Sequence, residues 1–371
     1  MFIGRGNFRF PVHFVYQVYL VHFPQQGGAM NVMMLERVAD LHHSVEPLVL
    51  RRRAIPMPEA DEVLLRVGAC GVCHTELDEI EGRTVPPRFP VIPGHQVVGR
   101  VVSCGEGVTG IEPGSRRGVA WIYSACGQCE FCLAGSENLC AGFRATGRDA
   151  DGGYAEFMVV PAVFTFAIPE NFSDAEAAPL LCGGAIGYRS LMLANLKNGA
   201  VLGLTGFGAS GHQVLRLARY LYPSSPVFVF ARSESDHEFA RSLGADWVGC
   251  TTDDPPALCA SIIDTTPAWL PVISALEHLQ PGGRLVINAI RKESRDNDLL
   301  AGISYEKHLW MEKEIKSVAN ITRADVSAFL DIAGRMELKP EVRSYRLSEA
   351  NRVLFDLRHG KASGSAVLIP D

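Results

Sequence analysis

The sequence has no run approaching the roughly 18 consecutive apolar residues that a membrane-spanning helix requires. Its nearest candidate, FPVHFVYQVYLVHF near the N-terminus, is shorter and carries His13, Gln17 and His22. No A-x-A-like cleavage site follows it, so a secretory leader is not expected. Positive charge is not in excess either. Lys and Arg number 35 against 41 Asp and Glu, a formal net charge of −6. That balance argues against a protein that holds nucleic acid or an anionic membrane by electrostatics. There are no internal repeats and no low-complexity tract. Acidic residues are missing from residues 1–29, and this segment reads as an extension ahead of a start at Met30 or Met33.

What is present is the composition of an ordinary globular chain. Its 371 residues are 47% hydrophobic and 20% charged, enough for a large core and for two domains rather than one. Disulfide scaffolds belong to small chains without such a core, so the ten cysteines call for another explanation. Four of them lie in SACGQCEFCLAGSENLC: Cys126, Cys129, Cys132 and Cys140. The C-x2-C-x2-C-x7-C spacing suits one tetrahedral metal better than two disulfides, because sulfurs on adjacent turns can converge on a zinc at ~2.3 Å. Gly127 and Gly135 permit the tight turns this needs. A four-thiolate shell has no open position, so a zinc here would be structural.

The second half of the chain has a different pattern. AVLGLT (200–205) is apolar enough for a buried parallel strand and runs directly into Gly206-Phe-Gly208-Ala-Ser-Gly211, then HQVLRLARYLY with helical spacing. A G-x-G-x-x-G between strand and helix is a dinucleotide fingerprint, its glycines letting backbone approach a pyrophosphate at the helix N-terminus. The bland alternative is a glycine turn that binds nothing. The alternation continues through PVFVF (226–230), the helix SESDHEFARSL, the strand-like SIIDTT (261–266), a helix over 269–279, the turn QPGG and the strand RLVINAI (284–290). This is the rhythm of a Rossmann sheet. The second strand ends in Ala231-Arg232-Ser233, without the carboxylate that usually holds an NAD ribose. Arg232 and Ser233 favour a 2′-phosphate, hence NADP(H), although Arg232 also reads as a solvated loop charge.

Five motifs occur in the order GVCHTEL, PGHQVVG, CGQCEFCLAGSENLC, PLLCGG, GFGASG. From about residue 33 onward the chain resembles the zinc-dependent alcohol dehydrogenases of the medium-chain dehydrogenase/reductase superfamily. The resemblance implies two zincs per chain and NAD(P). It makes Cys73, His95 and Cys182 the ligands of a catalytic zinc with an open fourth position, where an alcohol becomes acidic enough to give its hydride to nicotinamide. It makes Thr75 the hydroxyl that meets the substrate oxygen, although T-E-L-D before a helix also reads as an N-cap. It makes Glu76 the carboxylate behind the histidine ligand, and it places Asp78 where many relatives have a relay histidine. Trp121 matches a bulky residue that narrows the pocket toward small primary alcohols and aldehydes; core packing explains it equally well.

Two positions depart from the family pattern. Gln96 stands where a glutamate usually follows the ligand histidine, and Ser365 stands where an arginine commonly pairs with the cofactor pyrophosphate. The implied fold is α/β: a Rossmann cofactor domain over 184–318, inserted into a β-rich, partly barrel-like, GroES-like catalytic domain over 31–183 plus 319–371, after an extension over 1–30. The other expectations are a dimer or tetramer, a reducing cytoplasm, small-molecule partners only, and burial of Cys70, Cys104, Cys250 and Cys259. Two rival functions stand beside the dehydrogenase: an NADPH-dependent aldehyde reductase of the same superfamily, and a non-catalytic zinc and nucleotide sensor.

Overall fold

The computed structural model describes residues 28–361 and 364–370, so most of the expected N-terminal extension lies outside the described residues. Met30 and Met33 fall within the strand Ala29–Leu35. Two large sheets organise the chain.

The first sheet has seven strands centred on Glu62–Gly71. Val63, Leu65, Val67 and Ala69 of that strand alternate into the core, as period-two patterning requires. Val97–Cys104 and Phe157–Pro161 pair with it antiparallel. Late in the chain Ser365–Ile369 returns to pair with it as well, setting Leu368 opposite Cys70.

The second sheet has six strands, all parallel. Leu202–Thr205 and Val227–Phe230 are buried along their whole length, which explains why they read as unbroken apolar runs. Leu202–Thr205 lies between Val227–Phe230 and Cys259–Asp264. The winding direction reverses there, leaving a crevice at the carboxyl ends of the strands where open α/β sheets bind ligands.

Two features of this sheet differ from the sequence expectation. QPGG is not a turn; it lies inside the strand Leu279–Ile287. Leu279 pairs with Cys259 but Arg284 pairs with Ser261, and Gly282 at φ +69° takes up the extra length as a bulge. The strands Trp247–Gly249 and Glu314–Ser317 escape a hydrophobicity reading because one is three residues long and the other is exposed throughout.

Asp174–Ala194 is long and apolar enough, by length and composition, to cross a membrane, yet 61% of that window is buried inside the protein. It is also interrupted. A capping box between Ser173 and Glu176 starts it, and Asp174–Leu181 packs on the first sheet. The backbone then breaks at Cys182, with φ −122° and ψ −83°, and restarts as the helix Gly183–Ala194 against the second sheet. Cys182 therefore stands where the chain crosses from one sheet to the other.

Candidate active site and metal centres

Helix α1, His74–Ile80, begins at Cys73 rather than at Thr75. Cys73 Sγ accepts from the Thr75 N–H at 3.4 Å, and Glu76 Oε2 accepts from the Cys73 N–H at 2.8 Å. This reciprocal capping box corrects the N-cap reading of Thr75, whose hydroxyl is not needed to start the helix. The other oxygen of Glu76 lies 2.6 Å from His95 Nδ1. Both residues are buried, so one carboxylate fixes the helix start and the imidazole together. The far nitrogen of that ring, Nε2, lies 3.7 Å from Cys73 Sγ.

Cys182 completes the group: the ligand atoms of Cys73, His95 and Cys182 all lie within 4.8 Å of one another. A tetrahedral zinc with bonds of ~2.3 Å to sulfur and ~2.0–2.1 Å to nitrogen separates the two atoms by about 3.5 Å, so the observed spacing fits. The electrostatics fit too. Burial opposes charge on His95, but Glu76 and Cys73 outweigh it and raise the imidazole well above its usual range. The Cys73 thiol is pushed up by its hydrogen bond with Cys182 and by burial. A divalent cation reverses that preference and ionises such thiols. Changing Glu76 to Gln is expected to weaken metal binding here by about 10–100-fold while the helix still forms. Competition with a chromophoric chelator would measure it.

Gln96 is buried beside this group with its amide nitrogen unpartnered. Gly71 makes room for it, since a Cβ there would meet Gln96 Oε1 at 2.5 Å. Trp121 is half-buried, its ring 5.3 Å from that of Phe143.

The four-cysteine lobe also converges, with all four sulfurs within 4.8 Å of one another. Cys126 and Cys132 are 3.9 Å apart, against about 3.8 Å for the edge of a ZnS4 tetrahedron. Gly127 at φ +74° and Gly135 at φ +68° make the turns. The N–H groups of Gln128 and Cys129 lower the Cys126 thiol to about 6, whereas desolvation and the neighbouring thiols raise Cys132 to about 12. Such a split set of thiols suits a cation that ionises all of them.

The glycine loop begins at the switch point. Gly206 holds φ +77°, and a Cβ there would strike Thr266 Cγ2 at 2.7 Å. A Cβ on Gly208 would enter open space, the space a pyrophosphate needs. The helix Ala209–Leu221 starts behind it with no side-chain cap and no acidic residue in its first turn. Its start touches the metal-ligand segment: a Cβ on Gly184, two residues after Cys182, would lie 2.5 Å from Gln213 Oε1. Arg232 is exposed at the end of Val227–Phe230. The Ser233 hydroxyl caps the next helix, accepting from the Asp236 N–H at 3.1 Å.

Sequence reasoning missed Glu79 and the arginine partners of Asp78. Glu79 is buried, with neither carboxylate oxygen in hydrogen-bond geometry among the described residues, and burial, then Glu76, raises it well above the usual carboxylate range. Glu76, Leu77, Asp78, Glu79 and Ile80 are buried in succession, so no single apolar face marks Glu79 in the sequence. Asp78 is buried and pairs with both Arg83 and Arg291. Among the leftover cysteines, Cys70 and Cys259 are buried, but Cys104 is half-buried and Cys250 is exposed; Cys250 lies in the turn just after the edge strand Trp247–Gly249.

The alcohol dehydrogenase GroES-like domain model matches residues 59–170. A protein of Mycobacterium tuberculosis, "Probable alcohol dehydrogenase AdhA", is 41% identical over 351 residues, which cover 93% of this chain and 99% of the relative. The chain belongs to the zinc-type medium-chain alcohol dehydrogenases. A Geobacillus stearothermophilus alcohol dehydrogenase is 34% identical across 84% of this chain and 93% of its own length. The solved cobalt- and zinc-bound thermostable alcohol dehydrogenase of Pyrobaculum aerophilum superposes with a TM-score of 0.79 at 25% identity, over 92% of this chain and all of that one. This alcohol dehydrogenase is thus an oxidoreductase built from a GroES-like domain and a Rossmann-type parallel sheet.

Proposed function

We propose that the enzyme interconverts small primary alcohols and aldehydes with NADP(H), using one catalytic and one structural zinc. The observation that carries this is the Cys73, His95 and Cys182 trio: three converging ligand atoms, one fewer than a closed zinc shell needs. A bound zinc supplies Lewis acidity to an alcohol or carbonyl oxygen, and nicotinamide supplies the hydride acceptor or donor.

The chain's own residues do the rest. Glu76 orients His95 and keeps its other nitrogen toward the thiols. Thr75, in the first turn of α1, offers a hydroxyl to hold the substrate oxygen and to relay its proton, accepting it while releasing its own toward solvent. Asp78 lies one helical turn further along. Trp121 narrows the pocket toward small substrates. Gly206, Gly208 and Gly211 receive the pyrophosphate at the helix N-terminus. Cys126, Cys129, Cys132 and Cys140 hold the structural zinc. The domain limits follow the same reading: 184–318 binds the cofactor, while 31–183 with 319–371 carries both zincs.

NADP(H) is favoured because no carboxylate occupies positions 231–233 and Arg232 is exposed there. This is also what an aldehyde reductase working with NADPH would require. Changing Arg232 to Ala is expected to lower kcat/KM with NADP at least about tenfold, the worth of one charge-assisted hydrogen bond, with NAD little affected. The check is initial rates with ethanol, butanol and benzyl alcohol against each cofactor. A wild-type preference for NAD, unmoved by the substitution, would overturn the assignment.

A dimer or tetramer is supported by the edge strand Glu314–Ser317, which is exposed along its length, Ile315 included, with Trp310 and Met311 exposed just before it. Unpaired edges of this kind accept a second copy. None of the ten cysteines is joined in a disulfide, which suits a reducing cytoplasm.

A further inference from the structure

The loop after Leu279–Ile287 is pinned to the cofactor sheet on both sides of Arg291. Asn288 N–H donates to Asp264 O at 2.7 Å, and Glu293 N–H donates to Pro267 O at 2.7 Å. Lys292 Nζ pairs with the buried Asp264 and donates to Thr266 O at 2.8 Å and Ala268 O at 3.1 Å. Asp264 in turn accepts from the Thr205 hydroxyl at 2.7 Å, and Thr205 is the residue directly before Gly206. The glycine loop and this segment therefore form one rigid unit.

From that unit Arg291 reaches out to α1, its Nε 3.3 Å from Asp78 Oδ1. Asp78 is held on the same oxygen by Arg83, which lies just beyond α1 and whose N–H donates to Asp78 O at 2.8 Å. Arg83 divides its guanidinium between Asp78 and Glu81, and Glu81 is also held by Arg358. What Arg291 adds that Arg83 does not is a bond joining the cofactor sheet to the helix that carries Thr75.

We propose that Arg291 is a positioning residue: through its bond to Asp78 the cofactor sheet holds α1, and Thr75 with it, in the register that hydride transfer needs. The proposal rests on the reading of Gly206–Gly211 as the cofactor loop and of Thr75 as the substrate-side hydroxyl. It acts through geometry, and a misplacement of ~1 Å can cost about 100-fold in rate.

The test uses the zinc-loaded full chain with Arg291→Ala, Arg291→Lys, Asp78→Asn and the double variant Arg291→Ala/Asp78→Asn. Arg291→Ala is expected to lower kcat about tenfold. The primary isotope effect on kcat with a deuterated alcohol should rise, while cofactor Kd, read by fluorescence, stays within about twofold and zinc content is unchanged. Arg291→Lys should recover part of the rate. In the cofactor-free protein, thermal unfolding of the two single variants and the double should be non-additive, as contacting residues are. An unchanged kcat and isotope effect would overturn the proposal. So would a cofactor Kd weakened tenfold with the isotope effect unmoved, since Arg291 would then be a phosphate contact. If the wild type reduces no cofactor with any alcohol, the functional reading has failed, whereas additivity in the cofactor-free cycle would show that the bond itself is absent.

Discussion

Replacing Cys182 by Ala is expected to leave one zinc per chain and to lower kcat/KM by at least about a thousandfold. A catalytic zinc, where one is bound as proposed, contributes several kcal/mol of charge stabilisation to the reacting oxygen, and each ~1.4 kcal/mol is tenfold in rate. Cys73 and His95 remain 3.7 Å apart, but two ligands do not hold a tetrahedral metal against water. The position matters as much as the thiol. Cys182 stands at the break between Asp174–Leu181 and Gly183–Ala194, so its ligand atom is placed by both sheets. Metal analysis beside steady-state kinetics would measure the effect. A thermal midpoint close to that of the wild type would show that chemistry, not folding, was lost.

Loss of a ligand from the other centre is expected to act on folding instead. The lobe over residues 126–140 exposes Phe131, Leu133 and Leu139, and its helix Glu130–Leu133 buries no residue. So little burial leaves the proposed zinc as the main support of this segment. Structural zinc sites contribute about 10–16 kcal/mol in small peptides, comparable to the whole stability of a domain, about 5–15 kcal/mol. The lobe is also tied to the rest: Asn138 Nδ2 donates to Ala319 O at 2.7 Å, and Glu137 pairs with Arg323 at 2.9 Å. Changing Cys132 to Ala is therefore expected to lower the thermal midpoint by more than about 10 °C or to prevent recovery of folded protein. Limited proteolysis should then cut first between residues 126 and 140. A variant with the wild-type midpoint and one zinc fewer would show that the lobe folds without metal.

The contrast between the two centres follows from what a sequence can display. The four-cysteine lobe was legible because its ligands lie close along the chain, where spacing alone implies convergence. The catalytic trio was not legible from spacing. Cys73, His95 and Cys182 come from a helix start, a segment before a strand and a backbone break, and only the resemblance to a family joined them before the fold was known. The parallel sheet was legible where strands are buried on both faces, as in Leu202–Thr205, and illegible at its edge, where Glu314–Ser317 shows no apolar face.

Charged residues were hardest to place. Glu79 and Asp78 are both buried because α1 is buried on every side from Glu76 to Ile80. Arg291 lies 213 residues from its partner, a pairing no local pattern announces. Thr75 was legible as a motif residue but ambiguous as a cap; the Cys73 and Glu76 capping box resolved that ambiguity.

On the proposed function, one metal centre holds the fold and a second activates the substrate oxygen for hydride transfer to or from nicotinamide. The most direct test counts zinc per chain and follows reduced-nicotinamide absorbance on the same sample, with ethanol and benzyl alcohol as substrates. Two zincs per chain with turnover, and loss of turnover in step with loss of one zinc, is the predicted result. One zinc per chain in the protein as isolated, with no turnover of any alcohol or aldehyde, would contradict it and leave a zinc- and nucleotide-binding sensor as the better description.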